Sequence, residues 1–255
     1  MKLSVNHSKA VIHLIQTGKV SVDAIETVPY ISLDLIRAAQ SELKGMDFHY
    51  HHGRMLFTRA DEKILSEYLA AAHQSPFISI HLAPLPSHIT YPAMRWHLYL
   101  PEPNQEVCIK RFIKQVKRLK SQFSTPVTLE NMPSLHPSKY RFESEPRVIT
   151  RVLDETGCSL LLDLAHARIA AEARTMPVEE YLAQLPLEKT LQIHLAGVRS
   201  RDGRLYDAHE SLTDTDYALL EWALERSHPQ WLTLEYFYEQ PDQIQEQLTR
   251  LKEII

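Results

Sequence analysis

The feature that most constrains this chain is a repeated alternation of short apolar runs with longer amphipathic segments. Eight runs have the length and composition of buried strands, and each is followed by a segment with helical periodicity. Strands that alternate with helices in this way are normally parallel, and eight such units favour an α/β fold, a single closed (β/α)8 TIM barrel over residues 1–255. An open doubly wound sheet is the alternative, but no glycine-rich phosphate-binding motif follows the first strand.

The predicted strands cover residues 3–7, 24–28, 46–51, 77–82, 126–130, 159–162, 191–195 and 231–236. The predicted helices cover residues 9–16, 32–43, 61–73, 106–123, 146–156, 178–185, 214–226 and 241–254. Three long connections, residues 83–103, 131–140 and 196–213, are predicted as loops. In a TIM barrel the functional residues lie at the carboxyl ends of the strands and in the loops that follow them, so candidate site residues are expected at these positions.

Side chains of the metal-ligand type occur at the carboxyl ends of six predicted strands and just beyond them. They are His51, His81, Glu130, Asp163, His166, His194, Asp207, His209 and Glu235. Because the carboxyl ends of barrel strands meet at one rim, we expect these nine side chains to lie together. One catalytic ion needs about three or four protein ligands, so the set predicts two or three metal ions. Histidine and carboxylate ligands without cysteine suit iron, zinc or manganese.

The period of two along a strand gives an independent indication of which side chains face the barrel interior. The residues two positions before five of the strand-end candidates are polar, namely His49, Ser79, Thr128, Gln192 and Thr233, whereas the neighbours of the last four of these are apolar. Within the histidine-rich run at 49–52, this alternation selects His51 as the ligand, with His49 and His52 as alternatives. Any single member could instead be a structural histidine or a paired carboxylate. Few lysines or arginines occur at these strand ends, and a metal would offset the cost of clustered carboxylates.

Other rim residues have two interpretations each. The loop 83–103, which contains Trp96, is unusually long. It is interpreted either as a wall or lid over the substrate or as a packed surface loop. Asn131 follows the fifth strand and is a candidate for substrate binding. Arg199 would bind an anionic group of the substrate or balance local carboxylates. Glu26, at the end of the second strand, would join the site or pair with a cation.

Composition excludes several classes of protein. The formal net charge of −4 gives no indication of a nucleic-acid-binding surface. No apolar run approaches the roughly 18 residues of a membrane span, and the first residues lack the apolar region of a signal peptide. Two cysteines, Cys108 and Cys158, form no disulfide framework and suit a reducing compartment. We therefore expect a cytoplasmic protein without a membrane or nucleic-acid partner.

The order of these ligand candidates along the chain resembles the xylose-isomerase-like TIM-barrel superfamily, which includes the zinc-dependent endonuclease IV enzymes. A narrower resemblance is to the multinuclear non-heme iron-dependent oxidative enzymes, the family that includes the methanobactin-biosynthesis oxidase. It covers about residues 76–236 and is strongest over Gly157–Gly197, which contains Leu-Leu-Leu-Asp163 and His194-Leu-Ala-Gly197. The chain departs from that family in having Leu164-Ala-His166 where asparagine-rich residues are common, and the histidine-rich run 49–52 in place of an early Glu-Asn.

The resemblance implies iron-dependent oxidative modification of a peptide or other thiol-bearing substrate, often presented by a partner protein. Its implied catalytic residues are Glu130, Asp163, His194 and Glu235. The alternative function is a zinc- or manganese-dependent hydrolase, or a sugar isomerase or epimerase on the same barrel, in which a metal-bound water or a metal pair would act. A non-enzymatic metal-binding subunit is the third hypothesis.

Overall fold

Eight parallel strands close into a barrel in the computed structural model, which describes residues 1–53, 59–71, 75–83, 104–133 and 141–255. The eight barrel strands are β1 (Lys2–Asn6), β2 (Ala24–Thr27), β3 (Asp47–His52), β4 (Ile78–His81), β5 (Val127–Glu130), β6 (Ser159–Asp163), β7 (Thr190–Arg201) and β9 (Trp231–Glu235). A further strand, β8 (Arg204–Glu210), pairs antiparallel with the end of β7. Strands β1 to β7 pair in sequence order, and β9 pairs with both β7 and β1 to close the ring. The predicted TIM-barrel fold is therefore confirmed.

Helices surround the barrel, and several begin at a residue whose side chain caps them. They are α1 (Lys9–Gln16), α2 (Leu33–Glu42), α3 (Arg59–Ala71), α4 (Gln105–Gln122), α5 (Pro146–Thr156), α6 (Leu164–Glu172), α7 (Val178–Leu182), α8 (Asp214–Leu224) and α9 (Pro241–Ile254). Short 3-10 turns cover Arg141–Ser144 and Leu187–Lys189. Ser32 accepts a hydrogen bond from the Leu35 amide and so caps the start of α2. Among the described helices, none combines the length and apolarity needed to cross a bilayer.

The barrel separates an apolar outer layer from a polar interior. Outward residues such as Ile25, Ile78 and Leu129 are fully buried against the helices. Inward residues such as Thr128 and Gln192 are equally buried but polar. The layer between strands and helices therefore holds the hydrophobic core, and the polar interior requires its own hydrogen bonds.

The segment 196–213, predicted as a loop, is largely a β-hairpin. Strand β7 continues past the barrel to Arg201, and β8 returns antiparallel to it. Asp202 and Gly203 form the two-residue turn, and both have positive φ angles, of 52° and 72°. An Asp-Gly pair is a strong signal for this type of hairpin turn, because both central residues need positive φ. The sequence prediction missed it by treating the polar composition as a sign of irregular structure.

A second correction concerns helix α6, which the sequence analysis did not predict. It begins directly after β6, where the Asp163 carboxylate accepts a hydrogen bond of 2.7 Å from the His166 amide. Its sequence, LAHARIAAE, is rich in alanine, the residue with the highest helix propensity. His166 therefore lies in the first turn of a helix, and its position relative to Asp163 is fixed by that turn.

Candidate metal centre

Strand register brings the candidate ligands to the same end of the barrel. His81 pairs with Glu130 across β4 and β5, and Asp163 pairs with His194 across β6 and β7. Glu235, the last residue of β9, pairs with Ala196 of β7. Because these pairs lie at the carboxyl ends of parallel strands, their side chains meet at the mouth of the barrel, as predicted from the sequence pattern.

Glu130 lies at the centre of one half of the cluster, with its carboxylate 2% exposed. Its Oε2 lies 3.3 Å from Nε2 of His51 and 3.3 Å from Nε2 of His81. Its Oε1 lies 3.0 Å from Nδ1 of His166. The Ser79 hydroxyl, 2.9 Å from His51 Nδ1, fixes that ring so that the other nitrogen faces Glu130.

The structure also distinguishes among the three neighbouring histidines of β3. His51 faces the cluster, whereas His49 lies deeper in the barrel, with its ring 4.1 Å from that of Trp231 between centroids. His52 points the other way and lies 3.2 Å from the hydroxyl of Tyr50. The alternation along β3 therefore separates His51 from His52, and the deeper position of His49 leaves His51 as the β3 histidine that lies among the other candidates.

Asp163 has two different roles for its two oxygens. Oδ1 caps helix α6, as noted above, whereas Oδ2 is buried, has no hydrogen bond to any described residue and lies 3.6 Å from Nδ1 of His166. Asn131 supports it from β5: the amide nitrogen donates to the Asp163 carbonyl and its oxygen accepts from the Asp163 amide, at 3.0 and 2.8 Å. Helix capping and participation in the cluster are thus compatible for the same carboxylate.

The hairpin completes the cluster by bringing Asp207 and His209 over the barrel mouth. Asp207 Oδ2 lies 3.5 Å from His166 Nε2, and its Oδ1 lies 3.2 Å from His209 Nδ1. His209 Nε2 lies 3.3 Å from Glu235 Oε2. The backbone of His209 has a φ of 48°, and its ring stacks on Phe237 with centroids 3.9 Å apart. Packing therefore holds an uncommon backbone conformation that aims this imidazole into the site.

A tenth residue, Glu26, belongs to the same cluster. Its Oε2 lies 3.1 Å from Nε2 of His194, and the carboxylate is 1% exposed. His194 Nδ1 lies 3.4 Å from Glu235 Oε1, so this imidazole stands between two carboxylates. The sequence analysis left open whether Glu26 joined the site. The signal available in the sequence was the position of this carboxylate at the end of β2. Its side chain is on the side of the strand that faces the barrel interior, as alternate side chains of β3 do.

Among the described residues, histidines alone balance the charges of the cluster. It contains five carboxylates, and in the described part of the chain every ion-pair partner of these groups is an imidazole. Burial, together with the charges of Glu130, Asp207 and Glu235, raises the pKa of Asp163 to about 7 against the opposing effect of His166. Such a carboxylate cluster is costly to hold without a cation.

The pKa values of the cluster histidines also show that the carboxylates of the cluster need positive charge nearby. Burial alone would lower the pKa of His166 and His194, but the surrounding carboxylates raise both well above the usual range. Burial would raise the pKa of Glu130, but His81, His51 and His166 hold it well below its usual range. In the absence of a metal the cluster therefore retains protons, which a metal ion would displace.

The donor atoms form overlapping groups with the spacing of metal ligands. Three groups have ligand atoms within 4.8 Å of one another: His51–His81–Glu130, Glu130–Asp163–His166 and Asp163–His194–Glu235. A fourth contains Glu26, His51 and His194. Several of these potential ligand atoms are buried and have no hydrogen bond to a described residue, among them Glu130 Oε2, Asp163 Oδ2 and His194 Nδ1. The residues present thus fit metal ions, and shared carboxylates connect neighbouring groups.

A cavity of about 200 Å³ opens beside these side chains. The histidines and carboxylates form its floor, while Val28, Tyr30 and Phe237 line its walls. Tyr30 and Phe237 are 72% and 48% exposed, respectively. Large exposed aromatic side chains around a polar floor are typical of a pocket that takes a ligand with both polar and apolar parts.

The three candidate substrate-binding residues differ in position. Asn131 is fully buried, with both polar atoms engaged by the Asp163 backbone. Arg199 forms an ion pair of 2.8 Å with Glu210 and donates to the Ser211 carbonyl, which corresponds to the charge-balancing interpretation. Trp96 lies outside the described residues.

Comparisons with known sequences show which protein family this chain is similar to. A model of the family described as RiPP precursor modification enzyme MbnB/TglH/ChrH matches residues 49–254. A UPF0276 protein of Paraburkholderia phytofirmans is 31% identical over 168 residues, which cover 64% of this chain and 49% of that protein. A UPF0276 protein of Shewanella oneidensis is 27% identical over 177 residues, covering 68% and 61%. The chain spans about half the length of the curated relatives it matches.

Comparisons with solved structures show the fold alone. A xylose isomerase-like TIM barrel protein from Mycobacterium smegmatis in complex with magnesium has a TM-score of 0.62 at 13% identity, with coverage of 99% of this chain and 96% of that one. A D-tagatose 3-epimerase-like protein has a TM-score of 0.58 at 12% identity, with coverage of 100% and 97%. These similarities confirm the TIM-barrel fold that the sequence pattern predicts.

Proposed function

Because this chain belongs to the MbnB/TglH/ChrH family of RiPP precursor modification enzymes, we propose that it catalyses iron-dependent oxidative modification of a cysteine-containing peptide. RiPPs are ribosomally made peptides that enzymes modify after synthesis, so the substrate would be a precursor peptide. Its thiol would enter the cavity beside the histidine and carboxylate cluster, and dioxygen would be the oxidant.

The observation that carries this proposal is the sharing of carboxylates between ligand groups. Glu130 belongs to two adjacent groups, and Asp163 belongs to the second of these and to a third. A carboxylate can bridge two ions through its two oxygens, so two or three ions would be held close together. Histidine and carboxylate ligands without thiolate suit iron, which can change oxidation state during the reaction.

Glu130, Asp163, His194 and Glu235 are the residues proposed to hold the reacting ions. When bound, the iron would supply a site for the thiolate sulfur and electrons for the reduction of dioxygen. The protein would supply orientation: Ser79 fixes His51, and Asn131 fixes the backbone of Asp163. Burial of the carboxylates keeps water from competing at the floor of the cavity.

Tyr30 and Phe237 would contact the substrate residues that flank the cysteine. Both side chains are exposed at the cavity wall, and Phe237 is fixed by its stacking on His209. Apolar contacts of this kind select for shape and hydrophobicity and leave the polar floor to the sulfur. A peptide presented by a partner protein would reach the same opening.

The proposal is tested by purifying the chain anaerobically without a metal-chelating tag and measuring its metals, followed by Mössbauer spectroscopy. We expect two or three irons per chain, and fewer in Glu130→Gln, whose carboxylate serves two groups. The matched control is Glu143→Gln, which alters another fully buried carboxylate that lies outside the cluster. Incubation of the iron-loaded protein with dioxygen and thiol peptides, read by mass spectrometry, should then show oxidative mass changes.

The alternative of a zinc or manganese hydrolase, isomerase or epimerase gives a different result in the same experiment. Stoichiometric zinc or manganese with negligible iron, and turnover of a substrate without consumption of dioxygen, would replace the oxidative proposal. Failure to bind any of these metals on reconstitution would refute the metal centre itself.

A further inference from the structure

We propose that Glu26 is a positioning residue that orients the His194 imidazole so that its Nδ1 faces the metal centre. This inference rests on the metal centre proposed above. Glu26 precedes residues 49–254, the part of the chain that the family model matches. Its carboxylate oxygen and His194 Nε2 lie 3.1 Å apart, and both side chains are almost completely buried.

The two nitrogens of His194 have different surroundings. Nε2 faces Glu26 at hydrogen-bond distance. Nδ1 is buried, has no hydrogen-bond partner in the part of the chain that the structure describes, and lies 3.4 Å from Glu235 Oε1. An imidazole that donates a proton from one nitrogen to a carboxylate presents the lone pair of the other nitrogen. The geometry therefore directs the His194 lone pair towards Glu235 and the other ligands.

The surroundings of Nε2 disfavour a metal ion on the Glu26 side of the ring. The amide nitrogen of Gln192 lies 3.0 Å from His194 Nε2 and donates to Glu26 Oε2 at 2.8 Å. The N–H hydrogens of an amide group carry partial positive charge and would repel a cation placed between Glu26 and the ring. Although the spacing of Glu26, His51 and His194 resembles a ligand set, this donor makes Glu26 a partner of His194 rather than a metal ligand.

Glu26 is itself fixed by hydrogen bonds that cross the barrel interior. The Gln192 amide also donates to the Thr233 hydroxyl at 2.7 Å, and Thr233 lies 2.6 Å from the Ser4 hydroxyl. These residues come from β7, β9 and β1, and Glu26 comes from β2. We call Ser4, Thr233, Gln192 and Glu26 the polar relay. Since all four are buried, the relay has little freedom and can hold the imidazole in one orientation.

A direct test is a histidine-ring ¹⁵N spectrum of the zinc-loaded protein, with the His194 signals identified by their absence in His194→Gln. We expect His194 to bind zinc through Nδ1 and to keep its proton on Nε2. Binding of zinc through Nε2 would overturn the proposal. This readout uses the unsubstituted chain, so it does not depend on whether any Glu26 variant folds.

Zinc titration of Glu26→Gln provides the second test, with thermal unfolding of the metal-free protein to verify folding. Partners of metal-bound histidines typically contribute about 10–100-fold to affinity, so one zinc should bind that much more weakly while the number at saturation stays the same. Asp216→Asn, a buried carboxylate paired with Arg168 away from the cluster, should bind zinc normally.

The other outcomes of that titration are equally decisive. Loss of one zinc per chain at saturation would make Glu26 a ligand, and unchanged affinity would remove its positioning role. Both tests use zinc alone, so normal zinc binding in a protein that oxidises no peptide would refute the proposed function and leave this inference standing.

Discussion

Replacing Gly197 by alanine should disturb the half of the metal centre that the hairpin carries. Gly197 lies in β7 where this strand leaves the barrel, opposite Glu210 of β8. A Cβ atom at this position would lie 2.3 Å from the Glu210 carbonyl oxygen and 2.5 Å from that of Ser211. Both neighbours are backbone atoms, so no side-chain rotation can relieve the contact. The two strands must therefore move apart.

The size of this movement follows from the same distances. Ordinary contact begins at 3.4 Å, so the strands must separate by 3.4 − 2.3, or about 1.1 Å. Overpacking of this kind typically costs about 1–3 kcal/mol of folding free energy. Asp207 and His209 move with β8, and their contacts with His166 and Glu235 are only 3.5 and 3.3 Å long. Misplacement by roughly 1 Å can cost about 100-fold in activity.

The assay combines urea unfolding with metal analysis and peptide oxidation by the reconstituted protein. Gly18→Ala is the matched control: Gly18 has a φ of 69° but no atom within 4 Å of the added Cβ. It should lose stability through backbone strain and keep its metals, whereas Gly197→Ala should lose both stability and metal occupancy. Full metal occupancy and activity in Gly197→Ala would refute the reasoning.

Three further outcomes are expected. Glu130→Ala should lower the metal content by more than one ion per chain, since its carboxylate serves two ligand groups; loss of a single ion in elemental analysis would argue against sharing. Zinc affinity should rise with pH, because protons compete with the metal for His166 and His194. The surrounding carboxylates raise the pKa of both histidines above the usual range, against the effect of burial. Competition titrations that show no dependence of zinc affinity on pH would contradict this. Arg168→Ala should lower the unfolding free energy by about 1–3 kcal/mol, because buried Asp216 loses its charged partner; an unchanged urea midpoint would show that the Thr213 hydrogen bonds suffice.

The parts of the structure that could be predicted are those encoded by local periodicity. Alternation along β3 is sufficient to separate His51 from His52, because adjacent side chains must face opposite sides of a strand. The eight-stranded barrel follows from a repeated pattern in which each unit is read over a few residues. The positions at strand ends then place Glu130, Asp163 and His194 together without any knowledge of the loops.

The parts that were missed depend on specific turns and on long-range pairing. The Asp202-Gly203 turn is a two-residue signal inside a polar segment, which composition alone does not separate from a loop. Glu26 was visible as an inward carboxylate, but its partner His194 lies 168 residues away in sequence. Such a contact follows from closure of the barrel, so a single strand pattern cannot identify it.

The hairpin formed by β7 and β8 has a consequence for how this protein could diversify or be engineered. Its outer end, residues 201–204, is exposed, while the Val198–Asp207 pair nearer the barrel carries a cluster residue. Inserting equal numbers of residues into both strands beyond Arg199 and Tyr206 would lengthen the hairpin without altering the register at its base. The length and sequence of the tip can therefore vary, or a reporter group can be attached there, without a change in the spacing of the ligand residues.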